Sequence, residues 1–125
     1  MARTAPSPAR LSGRANDPPL LILTSLASGP KHGHALAKDI EAFAGVTLGP
    51  GALYGAITRL DQRGLIQAVP SDDRRRPYRI TPDGEAALAA AVDDLRRVVD
   101  VAADRLRPAR SRPLLPGSGL SGSMA

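Results

Sequence analysis

Residues 50–82 read PGALYGAITRLDQRGLIQAVPSDDRRRPYRITP, and the order of signals inside this stretch sets the fold. Pro50 suits a first helical position, Leu53, Ile57 and Leu60 recur at helical spacing, and Gly64 stops the run, which predicts a helix over 50–63. Leu65-Ile66-Gln67-Ala68-Val69 is short and strand-compatible, and Pro70-Ser71-Asp72-Asp73 is turn chemistry. Arg74, Arg75, Arg76 and Pro77 follow, and then a second strand, Tyr78-Arg79-Ile80. Period-two alternation puts Tyr78 and Ile80 on one face and Arg79 on the other. A helix therefore leads straight into a β-hairpin whose tip is loaded with arginine.

Upstream, Asp17 is a good N-cap and Pro18 a good first residue for a helix whose Leu20, Leu23 and Leu26 share a face, ended by Gly29-Pro30. A second helix is predicted over 33–44, with Leu36, Ile40 and Phe43 on one stripe and Gly45 as its terminator. Only residues 46–49 separate it from the helix over 50–63, which makes a helix-turn-helix. A helix-turn-helix followed by a hairpin is the winged-helix arrangement. Downstream, Thr81 caps and Pro82 starts a last helix that runs to about residue 107, where Pro108 ends it. At ~1.5 Å per residue this is a rod of about 39 Å. Along it Leu88, Val92, Leu95, Val99, Ala102 and Leu106 alternate steps of four and three, a heptad seam. Such a seam wants a partner helix, and a second copy of the chain is its simplest source. The expected fold is mostly α with a small β-hairpin: a winged helix-turn-helix followed by a long C-terminal dimerisation helix.

The 125 residues suffice for one domain and exclude large catalytic folds such as a TIM barrel. Cysteine is absent, which removes disulfides, thiolate nucleophiles and zinc ribbons and fits a cytoplasmic setting. No apolar run approaches the ~18 residues of a membrane span. The formal charge of +5 sits at the ends: residues 1–16 carry Arg3, Arg10 and Arg14 without an acid, and residues 108–125 carry Arg110 and Arg112 without an acid. The segment 17–107 is neutral, with a mildly basic part over 17–81 and an acidic one over 82–107. We therefore expect a disordered basic arm over 1–16, a winged-helix domain over 17–81, a dimerisation helix over 82–107 and a disordered Pro/Gly/Ser-rich tail over 108–125.

Candidate binding residues follow from the faces. With Leu53, Ile57 and Leu60 turned inward, Tyr54, Gly55, Thr58 and Gln62 occupy other faces. Thr58 and Gln62 have the donors and acceptors that base edges require. Arg59 suits a phosphate or an ion pair with Asp61 or Asp39. Gly51 and Ala52 present backbone N–H groups at a helix start. Arg74, Arg75, Arg76 and Arg79 have the fork geometry for phosphate oxygens and the charge for a narrow minor groove. Catalysis finds no footing. His32 and His34 lack a third metal ligand nearby in sequence, and Asp72-Asp73 and Asp93-Asp94 lie in exposed contexts without pocket residues. We expect no metal, no cofactor and no enzyme activity.

Several blocks resemble the PadR family of bacterial transcriptional regulators. They are Leu23-Thr24-Ser25-Leu26, Gly29-Pro30-Lys31-His32-Gly33-His34-Ala35-Leu36, Gly51-Ala52-Leu53-Tyr54-Gly55-Ala56-Ile57-Thr58-Arg59-Leu60, Gly64-Leu65-Ile66, and Arg75-Arg76-Pro77-Tyr78-Arg79-Ile80-Thr81-Pro82-Asp83-Gly84. The resemblance covers about residues 18–107 and is nearest to the subgroup with a single C-terminal helix. His34 stands where the family commonly has tyrosine, Ala52 where it usually has Thr or Ser, and Pro77 where a residue could donate from the wing strand. The resemblance implies a dimeric winged-helix repressor, often of detoxification or efflux genes, that places Tyr54 on the phosphate backbone. Some members answer to small phenolic or hydrophobic effectors. The expected function is a dimeric, sequence-specific regulator of double-stranded DNA. It would read a palindromic operator with helix 50–63 in the major groove and the 70–79 wing on the backbone or minor groove. The alternative is a winged-helix adaptor that binds proteins and reads no DNA sequence.

Overall fold

A computed structural model describes residues 11, 14–72 and 74–108. The predicted disorder of 1–10 and 109–125 lies outside the described residues, as do residues 12 and 13 and Asp73 of the predicted turn. The elements run α1 (Pro18–Leu26), α2 (Gly33–Ala44), α3 (Pro50–Gln62), β1 (Ile66–Ala68), β2 (Tyr78–Ile80) and α4 (Pro82–Leu106). Two units divide within α4, between Leu95 and Arg96, and are described separately.

In the first unit, α1 is the central element, packed against α2, α3 and β2. Leu20, Leu21, Ile22, Leu23 and Leu26 are all buried, a wider set than the single stripe of Leu20, Leu23 and Leu26. A short helix packed against several partners needs apolar residues on more than one face, and between Leu20 and Leu26 the exposed Thr24 marks the side left to solvent. Asp17 occupies the N-cap position as expected, yet its side chain makes no capping bond. The helix ends at Leu26, and Lys31 holds its last turn: Nζ donates to the Ser25 carbonyl (2.5 Å) and to Ser28 Oγ (2.7 Å). A cation there also complements the negative end of the helix. Ser25, buried at 2% exposure, donates through Oγ to Asp39 Oδ2 (2.6 Å), which ties α1 to α2.

His32 caps α2 by accepting the Ala35 N–H at Nδ1 (3.3 Å), and Gly45 closes it in a left-handed conformation (φ 68°). Leu36 and Ile40 are buried, but Phe43, expected on the same stripe, is 47% exposed. It sits on the last turn, where the core takes up its neighbour Ala44 instead. In α3, Leu53, Ile57 and Leu60 are buried as predicted, together with Ala56. The strands pair antiparallel with Ile66 opposite Ile80, Gln67 opposite Arg79 and Ala68 opposite Tyr78. Pro77 costs this ladder nothing, because its carbonyl accepts from Val69 N–H (2.8 Å) where no donor is required.

An isolated bridge outside this ladder was not legible in the sequence. Lys31 and Tyr78 exchange both backbone hydrogen bonds (3.0 and 2.9 Å), which fastens the segment before α2 to the wing. Thr81 Oγ1 accepts from the Gly84 N–H (3.0 Å) and donates to the Gly64 carbonyl (2.6 Å), so it caps α4 as predicted and pins it to the end of α3. Leu11, from the arm expected to be disordered, packs against the core, and Asp17 N–H donates to the Arg14 carbonyl (3.2 Å). In the second unit α4 continues to Leu106, where Arg107 pairs with Asp104.

Candidate nucleic-acid interface

α3 is built with two unlike sides. Its apolar residues seat it on the core, and Gly51, Ala52, Thr58, Arg59 and Gln62 are exposed on the rest of its surface. Tyr54 is half-exposed. Thr58 Oγ1 donates to the Tyr54 carbonyl (2.9 Å), which occupies its hydrogen and leaves its lone pairs for a donor. Arg59 has neither of the ion pairs considered for it: among the described residues, Asp39 instead serves Ser25 and Lys31. The Arg59 guanidinium lies along α3, with Nη1 3.5 Å from where a Cβ on Gly55 would be. Glycine at that position leaves it room.

Arg74, Arg75 and Arg76 are exposed at the tip of the wing. They border a cleft of about 340 Å³ together with Tyr54 from α3 and Tyr78 from β2. Its remaining wall is the start of α2: His32, Gly33 and His34. Among the described residues, no carboxylate lines it. Arg79 is not part of this cluster. It points to the opposite face of the hairpin, as the alternation predicted, and its guanidinium donates to Gln67 Oε1 (3.0 and 3.3 Å). Gly51, Ala52, Thr58, Arg59 and Gln62 likewise lie outside the cleft's lining.

The contribution of His32 and His34 was missed. Their rings lie parallel, 10° apart in plane with centroids at 6.4 Å. The sequence showed the pair at a helix start, and the Lys31–Tyr78 bridge fastens that start beside the wing. Among the described residues no group of three or more His, Cys, Asp or Glu side chains is placed to hold a metal.

The model of the transcriptional regulator PadR-like family matches residues 22–90, more than half of the chain. The chain belongs to the PadR-like family. Its members regulate transcription through DNA binding rather than catalysis. A transcriptional regulator of Mycobacterium tuberculosis, Rv3488, is 37% identical over 86 residues, 64% of this chain and 79% of that protein. A 37.1 kDa protein of transposon TN4556 from Streptomyces fradiae is 40% identical over 85 residues, 68% of this chain. This PadR-like chain spans only 25% of the length of that relative. The crystal structure of a PadR family transcription regulator from Clostridium difficile R20291 shares the fold: TM-score 0.64 at 23% identity, over 71% of this chain and 97% of that one. The PadR-like segment thus runs from the second half of α1 through β2 to the first turns of α4.

The six residues proposed for pairing of α4 lie in both units. Leu88, Val92 and Leu95 are half-buried in the first, where Leu88 packs against the core. Val99, Ala102 and Leu106 are exposed in the second. Val98 and Val101 are exposed there too, and with Arg97, Ala102 and Arg105 they line an apolar groove that the heptad count had not included. No helix among the described residues is long and apolar enough to cross a membrane.

Proposed function

We propose that the protein is a dimeric repressor that reads a palindromic operator. α3 enters the major groove with Thr58 and Gln62 toward base edges, and Arg59 and the N–H groups of Gly51 and Ala52 take phosphates. Arg74, Arg75 and Arg76 of the wing grip the backbone or the adjacent minor groove, with Arg79 reaching phosphate from the hairpin's other face. Paired α4 helices, meeting along Leu88, Val92, Leu95, Val99, Ala102 and Leu106, set the two readers about one duplex turn apart. The single observation that carries this reading is the cleft in which three wing arginines meet Tyr54 of α3. A small phenolic or hydrophobic effector, as the family resemblance implies, would act by changing the spacing of the readers.

Selection of bound genomic fragments followed by sequencing tests the reading. Enrichment of a two-fold symmetric site is expected, with affinity falling steeply as salt rises. Replacing Arg74, Arg75 and Arg76 together by alanine should weaken binding on many sequences alike and flatten the salt slope by about one per lost phosphate contact. An unchanged slope would remove the wing from the interface. A selection that enriches nothing would favour the protein-binding adaptor.

A further inference from the structure

The wall of the cleft formed by α2 is unexplained by the groove-reading elements alone. We propose that the cleft seats one phosphate group, with His34 as a direct contact and Tyr54 held in place by Gly33. The proposal rests on the DNA-binding reading for the duplex as a source of that phosphate, though the chemistry of the seat does not depend on it.

A Cβ on Gly33 would lie 2.5 Å from Tyr54 Oη and 2.8 Å from its Cζ. Only a residue without a side chain lets the phenol lie across the first turn of α2, and this brings the hydroxyl to the helix N-terminus. There the N–H groups of Gly33 and His34 have no partner within the helix. His32 accepts the Ala35 N–H at Nδ1, so in the neutral ring the hydrogen sits on Nε2 and makes it a donor. His34 is exposed beside it, its ring parallel to that of His32. Arg74 and Arg76 close the other side.

The lining is therefore rich in N–H and O–H donors from three segments of the chain and carries the positive charge of the wing arginines, with no carboxylate among the described residues. Such a set fits a tetrahedral oxyanion and repels a metal ion. Two sources offer that group: the backbone of bound DNA, and a free phosphorylated small molecule that would compete with it.

The full-length protein is titrated with inorganic pyrophosphate while the amide signals of Gly33 and His34 are followed by NMR. In parallel, ethylation interference is mapped on a selected DNA site. With DNA as the source, His34→Ala weakens binding roughly fivefold, the loss of one ordinary hydrogen bond, and erases interference at one phosphate per half-site. Lys38→Ala, exposed on α2 outside the cleft, leaves that phosphate intact. With a free phosphate as the source, pyrophosphate moves both amide signals and His34→Ala abolishes the movement. Either result supports the seat, and the second in a protein that selects no DNA would overturn the repressor reading alone. The seat is overturned if His34→Ala matches wild type in affinity and interference pattern while pyrophosphate moves neither signal, or if neither DNA nor pyrophosphate binds. Thr58→Ala and Gln62→Ala then still report on groove reading.

Discussion

Gly84 lies where the first turn of α4 meets the chain just after α3. A Cβ built there would sit 2.0 Å from the Leu65 carbonyl oxygen and 2.8 Å from Ile80 Cγ1. The carbonyl is backbone and cannot swing aside, so Gly84→Ala must displace α4. Forced overpacking of this kind costs about 1–3 kcal/mol or more. Gly55 is the counterexample within the same fold. A Cβ there meets only the flexible Arg59 guanidinium, at 3.5 Å, and Gly55→Ala should gain about 0.5–1 kcal/mol from the helix propensity of alanine. Urea unfolding of both variants checks the pair, and equal midpoints would contradict the contact geometry. Both glycines look alike in sequence, since each simply interrupts a helix. Their opposite consequences come from what stands opposite them.

At the scale of elements, the punctuation is local and was legible. Pro18, Pro50 and Pro82 start α1, α3 and α4, and Gly45 ends α2 where predicted. The end of α3 falls at Gln62, with Arg63 as its C-cap, one residue before the expected limit. Thr81 does more than start α4, because its hydroxyl also holds the Gly64 carbonyl. Thr81→Ala should therefore cost about 1 kcal/mol for the cap, with a further loss for the carbonyl left without its donor. Thr81→Ser retains both bonds and should recover most of that stability. Thermal melts of the two variants decide it, and a serine variant as weak as the alanine one would assign the loss to the methyl group. Phe43 marks where element-level reading stopped. Periodicity assigns a residue to a face, but not whether another element covers that face at that height.

At the scale of the whole molecule, the exposed apolar residues of α4 call for cover. Val98, Val99 and Leu106 are each more than half exposed, on a segment that is a unit of its own. Adjacent exposed valines and leucines on one helix mark an interaction surface more often than an idle one. Under the dimer proposal, Val99→Asp should sediment as single copies at micromolar concentration and keep the helical content of the first unit. It should also lose on the order of a hundredfold in DNA affinity, because two linked half-site contacts become independent. A variant that still sediments as a pair would move the dimer contact elsewhere.

The sequence by itself determined the order and kind of the elements, the outward faces of α3 and the wing, and the family. Prolines, glycines and capping hydroxyls act through backbone angles within a few residues, so their meaning does not wait for the rest of the chain. Tertiary structure alone decided that α1 buries every residue from Leu20 to Leu26 except Thr24, that Lys31 both closes α1 and pairs with Tyr78, and that His34, Tyr54 and the wing arginines share one cleft. Those contacts join residues far apart along the chain. They are fixed by packing the whole core at once, a sum that no single stretch of residues contains.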